Sequence, residues 1–191
     1  MYSIQNHYTS TLEVKQSKFI AHLIPYAEYE NTLQELQNEH PKARHFVTAY
    51  RYLNEFGQVV ESSSDDGEPK GTSGKPSLMV LQGKKLINIA VIVVRYFGGI
   101  KLGTGGLVRA YSDAVNNVIT GAALHEYVNE VVYEIEFEYS SVRLVDYECE
   151  ALGVKVLQKQ FDTKVLYKIQ APRGSINALL DKLEFTIYLR P

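Results

Sequence analysis

Apolar positions along this chain fall into two rhythms, one of period two and one near 3.6, and they predict alternating strands and helices. Residues 18–26 (KFIAHLIPY) form an apolar run that predicts a strand. Residues 28–40 predict a helix: Tyr29, Leu33 and Leu36 share one face, early glutamates suit the helix dipole, and Pro41 stops it. Aromatic and β-branched residues at 45–53 predict a strand, with 58–62 as its hairpin partner across a turn at 54–57. A polar stretch, SSSDDGEPKGTSGKP, occupies 62–76 and predicts a long loop, a feature often tied to function. A short helix at 77–85 follows, with Pro76 near its first turn. Residues 88–97 then contain IAVIVV, an unbroken run that predicts a strand buried on both faces. Glycines fill the next turn, and a helix at 105–120 ends at Gly121.

The second half is more regular. Near-perfect alternation at 128–139 predicts a strand. Ser140 or Ser141 caps a helix whose inner face is Val142, Val145, Cys149 and Leu152, ended by Gly153. Residues 154–161 and 164–171 predict a hairpin through Asp162-Thr163; Ile176, Leu179, Leu180 and Leu183 mark a second helix; 185–189 predicts a closing strand. The order β-α-β-β-α-β is that of a ferredoxin-like sandwich. The fold class is therefore α+β with two domains, 1–123 and 124–191.

Composition narrows the function classes. The chain has 191 residues, 45% of them hydrophobic, with 20 Lys+Arg against 22 Asp+Glu. A nucleic-acid surface must then be a local patch, not a property of the whole chain. Cys149 is the sole cysteine, which excludes an internal disulfide and a thiolate zinc site and suits an inert buried thiol. No stretch is apolar enough for a membrane span and no signal pattern opens the chain, so a cytoplasmic protein is expected.

The chemistry-capable residues gather in two places. The first is RYFGGIKLGTGGLVR at 95–109, with Gly98, Gly99, Gly103, Gly105 and Gly106 between a buried strand and a helix. A glycine-rich turn before a helix exposes free N–H groups at the positive end of the dipole and can hold phosphate. Arg95, Lys101 and Arg109 add positive charge, and Tyr96 adds an aromatic ring. The same glycines could serve a tight connection alone, so both readings stay open. Neither the ATPase phosphate loop nor the dinucleotide fingerprint is present. The second place is the 62–76 loop. Its Asp65, Asp66 and Glu68 could hold Mg²⁺, although a solvated Asp-Gly turn is the preferred reading. His45 reads as a surface or satisfied core group; His7, His22, His40 and His125 are scattered and form no ligand set. Aromatics beside arginines, such as Tyr50 and Phe97, could stack on single-stranded bases, but core packing is preferred for both. No catalytic residue, cofactor or metal is assigned.

Together, ESSSDDGEPKGTSGKP and VVRYFGGIKLGTGGLVRAY at this spacing resemble the IMPACT family, in particular its bacterial YigZ-like branch. The residues that match the family motif are Asp65, Asp66, Gly67, Glu68, Pro69, Lys70, Gly71, Thr72, Gly74 and Pro76, followed by the Arg-Tyr-Phe-Gly-Gly turn. The resemblance implies an N-terminal domain like ribosomal protein S5 domain 2 and a C-terminal domain like elongation factor G domain V. Eukaryotic members restrain a translation-controlling kinase by competing for its activator; for the bacterial branch no particular reaction is implied. Val47 stands where the family often has cysteine, and Ser73 replaces a commoner alanine, an exchange expected to be neutral. Two functions follow as expectations. One is a non-enzymatic module that binds RNA or a ribosome-associated protein. The alternative is an enzyme acting on a phosphorylated small molecule.

Overall fold

The structure is a computed structural model that describes residues 1–184 and 186–190. The chain divides into two units, Met1–Tyr127 and Val128–Pro191. The first contains β1 (Tyr2–Ser3), β2 (Tyr8–Val14), β3 (Ser17–Pro25), α1 (Tyr29–Glu39), β4 (His45–Leu53), β5 (Val59–Ser64), α2 (Gly74–Gly83), β6 (Ile89–Tyr96), α3 (Gly103–Thr120) and β7 (His125–Glu126).

Five of these strands form one antiparallel sheet in the order β2-β3-β6-β4-β5. β6 is central, and its residues from Ile89 to Val94 are all fully buried. Strand side chains alternate between faces. Ile89, Val91 and Val93 therefore join the core with Leu81 of α2 and Leu107, Tyr111 and Val115 of α3. Ala90, Ile92 and Val94 join a second core that includes Leu36 of α1. With helices on both faces, β6 buries apolar side chains at every position from Ile89 to Val94, which explains the unbroken run.

Several boundaries differ from the sequence expectation. β2 was not expected, because half of its residues are polar and only alternate positions are partly covered. α2 and α3 begin at Gly74 and Gly103, earlier than 77 and 105. In α3 the glycines at 103, 105 and 106 continue the helix as its first turn, so the turn proper is shorter than 98–106. The first unit extends through Tyr127, not 123, because His125 and Glu126 pair with Ser3 and Tyr2.

The second unit contains β8 (Glu130–Phe137), α4 (Val142–Ala151), β9 (Lys155–Phe161), β10 (Val165–Pro172), α5 (Arg173–Lys182) and β11 (Ile187–Arg190). Its sheet is antiparallel in the order β11-β8-β10-β9, the ferredoxin-like arrangement. Ile135, Phe137, Tyr167 and Ile169 on the strands pack against Val145 and Cys149 of α4 and Ile176 and Leu179 of α5. Burial, then the nearby Asp146, pushes the Cys149 thiol up to about 11, as suits an inert side chain. Of the expected closing strand, Phe185 lies outside the described residues. The α+β class with two units is the observed fold.

Candidate functional site

Alternation along β6 decides which residues can share a site. Arg95 follows Val93 on the α3 face, whereas Tyr96 follows Val94 on the α1 face. Tyr96 packs there and its hydroxyl meets His40 Nδ1 at 2.9 Å. The expected grouping of Tyr96 with Arg95 is thus corrected: adjacent strand residues point to opposite sides.

On the α3 face, antiparallel register sets His45 of β4 and Phe19 of β3 opposite Arg95. The Arg95 guanidinium lies over the Phe19 ring at 5.3 Å and the Phe97 ring at 5.8 Å. The loop after β5 adds Glu68, whose Oε1 accepts from Arg95 and from the Tyr111 hydroxyl of α3, the latter at 2.8 Å. His45 Nε2 stands 4.0 Å from the same oxygen, while its Nδ1 donates to the Asp66 carbonyl at 2.8 Å. Burial, then the charge of Glu68, raises the Tyr111 phenol far above its ordinary value, so it is a fixed donor. Glu68 is therefore not part of a solvated turn; it is buried at the centre of an ion-pair cluster.

The other loop carboxylates also work as scaffold. Asp65 accepts from the Gly71 amide at 2.7 Å, the Ser73 amide at 3.1 Å, the Ser73 hydroxyl at 2.7 Å and the Gly74 amide at 2.8 Å. It supplies the cap that Ser73 does not provide for α2. Burial works to raise its carboxyl, but the bonds from Gly71, Ser73 and Gly74 prevail and hold it below the usual range. The Ser73 hydroxyl, expected to be neutral, thus has a structural partner. Asp66 accepts from the Phe46 amide at 2.6 Å. Among the described residues no group of three His, Cys, Asp or Glu side chains is arranged to hold a metal. One unexpected pair does occur: His7 Nε2 and His22 Nδ1 lie 3.0 Å apart, brought together by the β2–β3 pairing.

The two expected loops meet at a pocket of about 460 Å³. Arg44, His45, Glu68, Pro69 and Arg95 form part of its wall. Phe97, Lys101, Leu102, Gly103, Thr104 and Leu107 form the rest. Phe97, expected in a core, is 45% exposed because β6 has ended before it. Lys101 has no carboxylate within 4 Å among the described residues, and α3 begins with no side-chain cap on its first N–H groups.

The glycines divide by role. A Cβ on Gly98 would sit 2.0 Å from the Gln16 carbonyl carbon, so Gly98 is required by the β2–β3 turn packed against it. Gly99 and Gly103 have φ of +86° and +74°. Gly105 has open space around it. Gly106 and Arg109 lie on another side of α3, lining a smaller cavity with Val14, Lys15 and Asp113. Of the motif loop, Gly67 lies beside the His45 ring, and Thr72 and Pro76 are buried. Gly74 could not carry a Cβ, which would lie 2.7 Å from the Ser64 backbone. Lys70 and Gly71 line no part of the pocket.

The Impact N-terminal domain model matches residues 15–119, a span that contains the whole pocket wall. An IMPACT family member of Haemophilus influenzae is 36% identical over 90% of this chain and 84% of its own length. The chain belongs to the IMPACT family. IMPACT family member YigZ of Escherichia coli is 32% identical over 90% of this chain and 85% of its own length. A crystal structure of a hypothetical protein has the same fold throughout, with a TM-score of 0.68 and 29% identity over 98% of this chain and 95% of that one. Val47 of β4, which stands where the resemblance implies cysteine, is fully buried in the core.

Proposed function

We propose that this IMPACT-family protein is a non-enzymatic module that binds RNA in the translation apparatus and grips a backbone phosphate at the start of α3. The observation that carries this reading is the uncapped N-terminus of an 18-residue helix opening on a pocket beside Lys101. Free N–H groups and the helix dipole favour an anion there. Lys101 and Arg44 add charge from the pocket wall. The link to translation rests on the family resemblance, whose eukaryotic members act on translational control. A cytoplasmic location accords with it, and among the described residues no helix is long and apolar enough to cross a membrane.

The test is RNA binding measured at several salt concentrations. Affinity should fall steeply with salt, and Lys101→Ala should weaken binding across sequences and lower the slope by about 1. Arg109→Ala, on another side of α3, should have the smaller effect. Identical affinities and slopes for wild type and a folded Lys101→Ala would refute the phosphate grip.

A second reading, an enzyme for a phosphorylated small molecule, draws on the pocket volume of about 460 Å³ and the carboxylate in its wall. Turnover of a phosphorylated metabolite that is lost in Lys101→Ala would favour it.

A further inference from the structure

Resting on the RNA reading above, we infer that the pocket takes one unpaired ribonucleotide of a single strand, with its base against Phe97 and its phosphate at the start of α3. Three features of the wall carry this. The first is size: a volume of about 460 Å³ lies in the range that encloses a small organic group and excludes a duplex. The second is the ring. Phe97 is 45% exposed and borders the pocket, with the Arg95 guanidinium 5.8 Å from its centroid. Such a supported aromatic face suits base stacking, which any unpaired base can provide and a paired, stacked base cannot.

The third feature is unmet hydrogen bonding at the buried end. Arg95 is only 5% exposed, yet its Nε has no partner. A guanidinium carries five N–H donors, and among the described residues this one is met by Glu68 Oε1 and by the neighbouring Tyr111 hydroxyl, which leaves Nε unmatched. This buried, incompletely paired cation is independent of the helix terminus and calls for an acceptor in the pocket. Glu68 is lopsided in the same way. Its partners converge on Oε1, and among the described residues Oε2 has none. A carboxylate oxygen in a pocket wall accepts from a hydroxyl, and the 2′-hydroxyl is the group that separates ribose from deoxyribose. Cationic terminus, aromatic face and carboxylate acceptor together match phosphate, base and ribose.

The experiment is fluorescence anisotropy on the full chain at one low salt concentration. Its probes are a labelled single-stranded RNA, the DNA of the same sequence, and the blunt RNA duplex. The single-stranded RNA should bind at least about tenfold more tightly than the duplex, and Phe97→Ala should lose about tenfold on it. Phe97→Tyr should retain the affinity, and both variants should melt like wild type. A duplex bound as tightly as the single strand, or an unaffected Phe97→Ala, overturns the inference. Equal affinity for DNA and RNA overturns its ribose part. In each of these outcomes a loss in Lys101→Ala leaves the wider RNA reading standing; failure of every probe to bind overturns both.

Discussion

The loop at 65–76 and the segment at 97–104 border the same pocket, but their polar groups serve different ends. In the loop, Asp65 holds Gly71, Ser73 and Gly74; Asp66 holds the Phe46 amide; Glu68 holds Arg95 and Tyr111. In the glycine segment, Lys101 is unpaired among the described residues and α3 starts uncapped. The acidic loop is engaged within the protein at every carboxylate, with Glu68 Oε2 left over, whereas the basic turn has no such partners. The first is a scaffold and the second is a binding surface. An acidic cluster in a long loop is thus no sign of a metal when its oxygens are already engaged by backbone amides and a buried arginine.

The contrast breaks most severely at Glu68. Glu68→Gln leaves the buried Arg95 without its counter-charge and should lower stability by about 3 kcal/mol in urea denaturation. A loss under about 1 kcal/mol would deny Glu68 its scaffold role. Within the glycine segment, Gly98 belongs with the scaffold. Gly98→Ala would force a Cβ to 2.0 Å from backbone and should cost about 2 kcal/mol or more. Gly105→Ala has open space and should stabilise by up to about 1 kcal/mol, since glycine inside a helix is entropically costly. Equal effects at the two positions would erase the division of roles.

Asp65 gives a smaller effect with a pH signature. Its carboxyl is held low in the folded protein, so its contribution is present above the unfolded value near 3.9 and is lost as pH falls through the folded value. Asp65→Asn should cost about 1–2 kcal/mol at neutral pH, and its stability should fall less than that of wild type on acidification below about pH 4. Parallel pH curves would remove Asp65 from the account. Lys101→Ala comes last: melting should stay within about 0.5 kcal/mol of wild type, because no partner is lost. A larger loss would move Lys101 to the scaffold side.

The two strongest periodicities were legible in sequence. IAVIVV marked the central strand, and alternation after Val128 marked the ferredoxin-like unit. The edge strand Tyr8–Val14 was not, because an edge exposes every second residue and reads as polar. That omission also hid the His7–His22 contact. The motif loops were visible as chemistry, but pairing of Glu68 with Arg95 and Tyr111 spans long sequence separations that no local pattern reports. Two placements did carry a signal. Tyr96 adjoins Arg95 in a strand and must face away from it, and Arg109 lies about one and two-thirds turns beyond Gly103, off the pocket side of α3. The glycine pattern gave the need for glycine without its reason: close approach at Gly98, positive φ at Gly99 and Gly103, neither at Gly105.

The phosphate grip at the start of α3 can be read from the amides themselves. In ¹⁵N-labelled protein titrated with a short single-stranded RNA at low salt, the Gly103 and Thr104 amide resonances should move as RNA binds and return as salt is added. The Gly71 and Ser73 amides, already bonded to Asp65, should stay in place. RNA binding that moves Gly71 and Ser73 and leaves Gly103 and Thr104 unchanged would contradict the account.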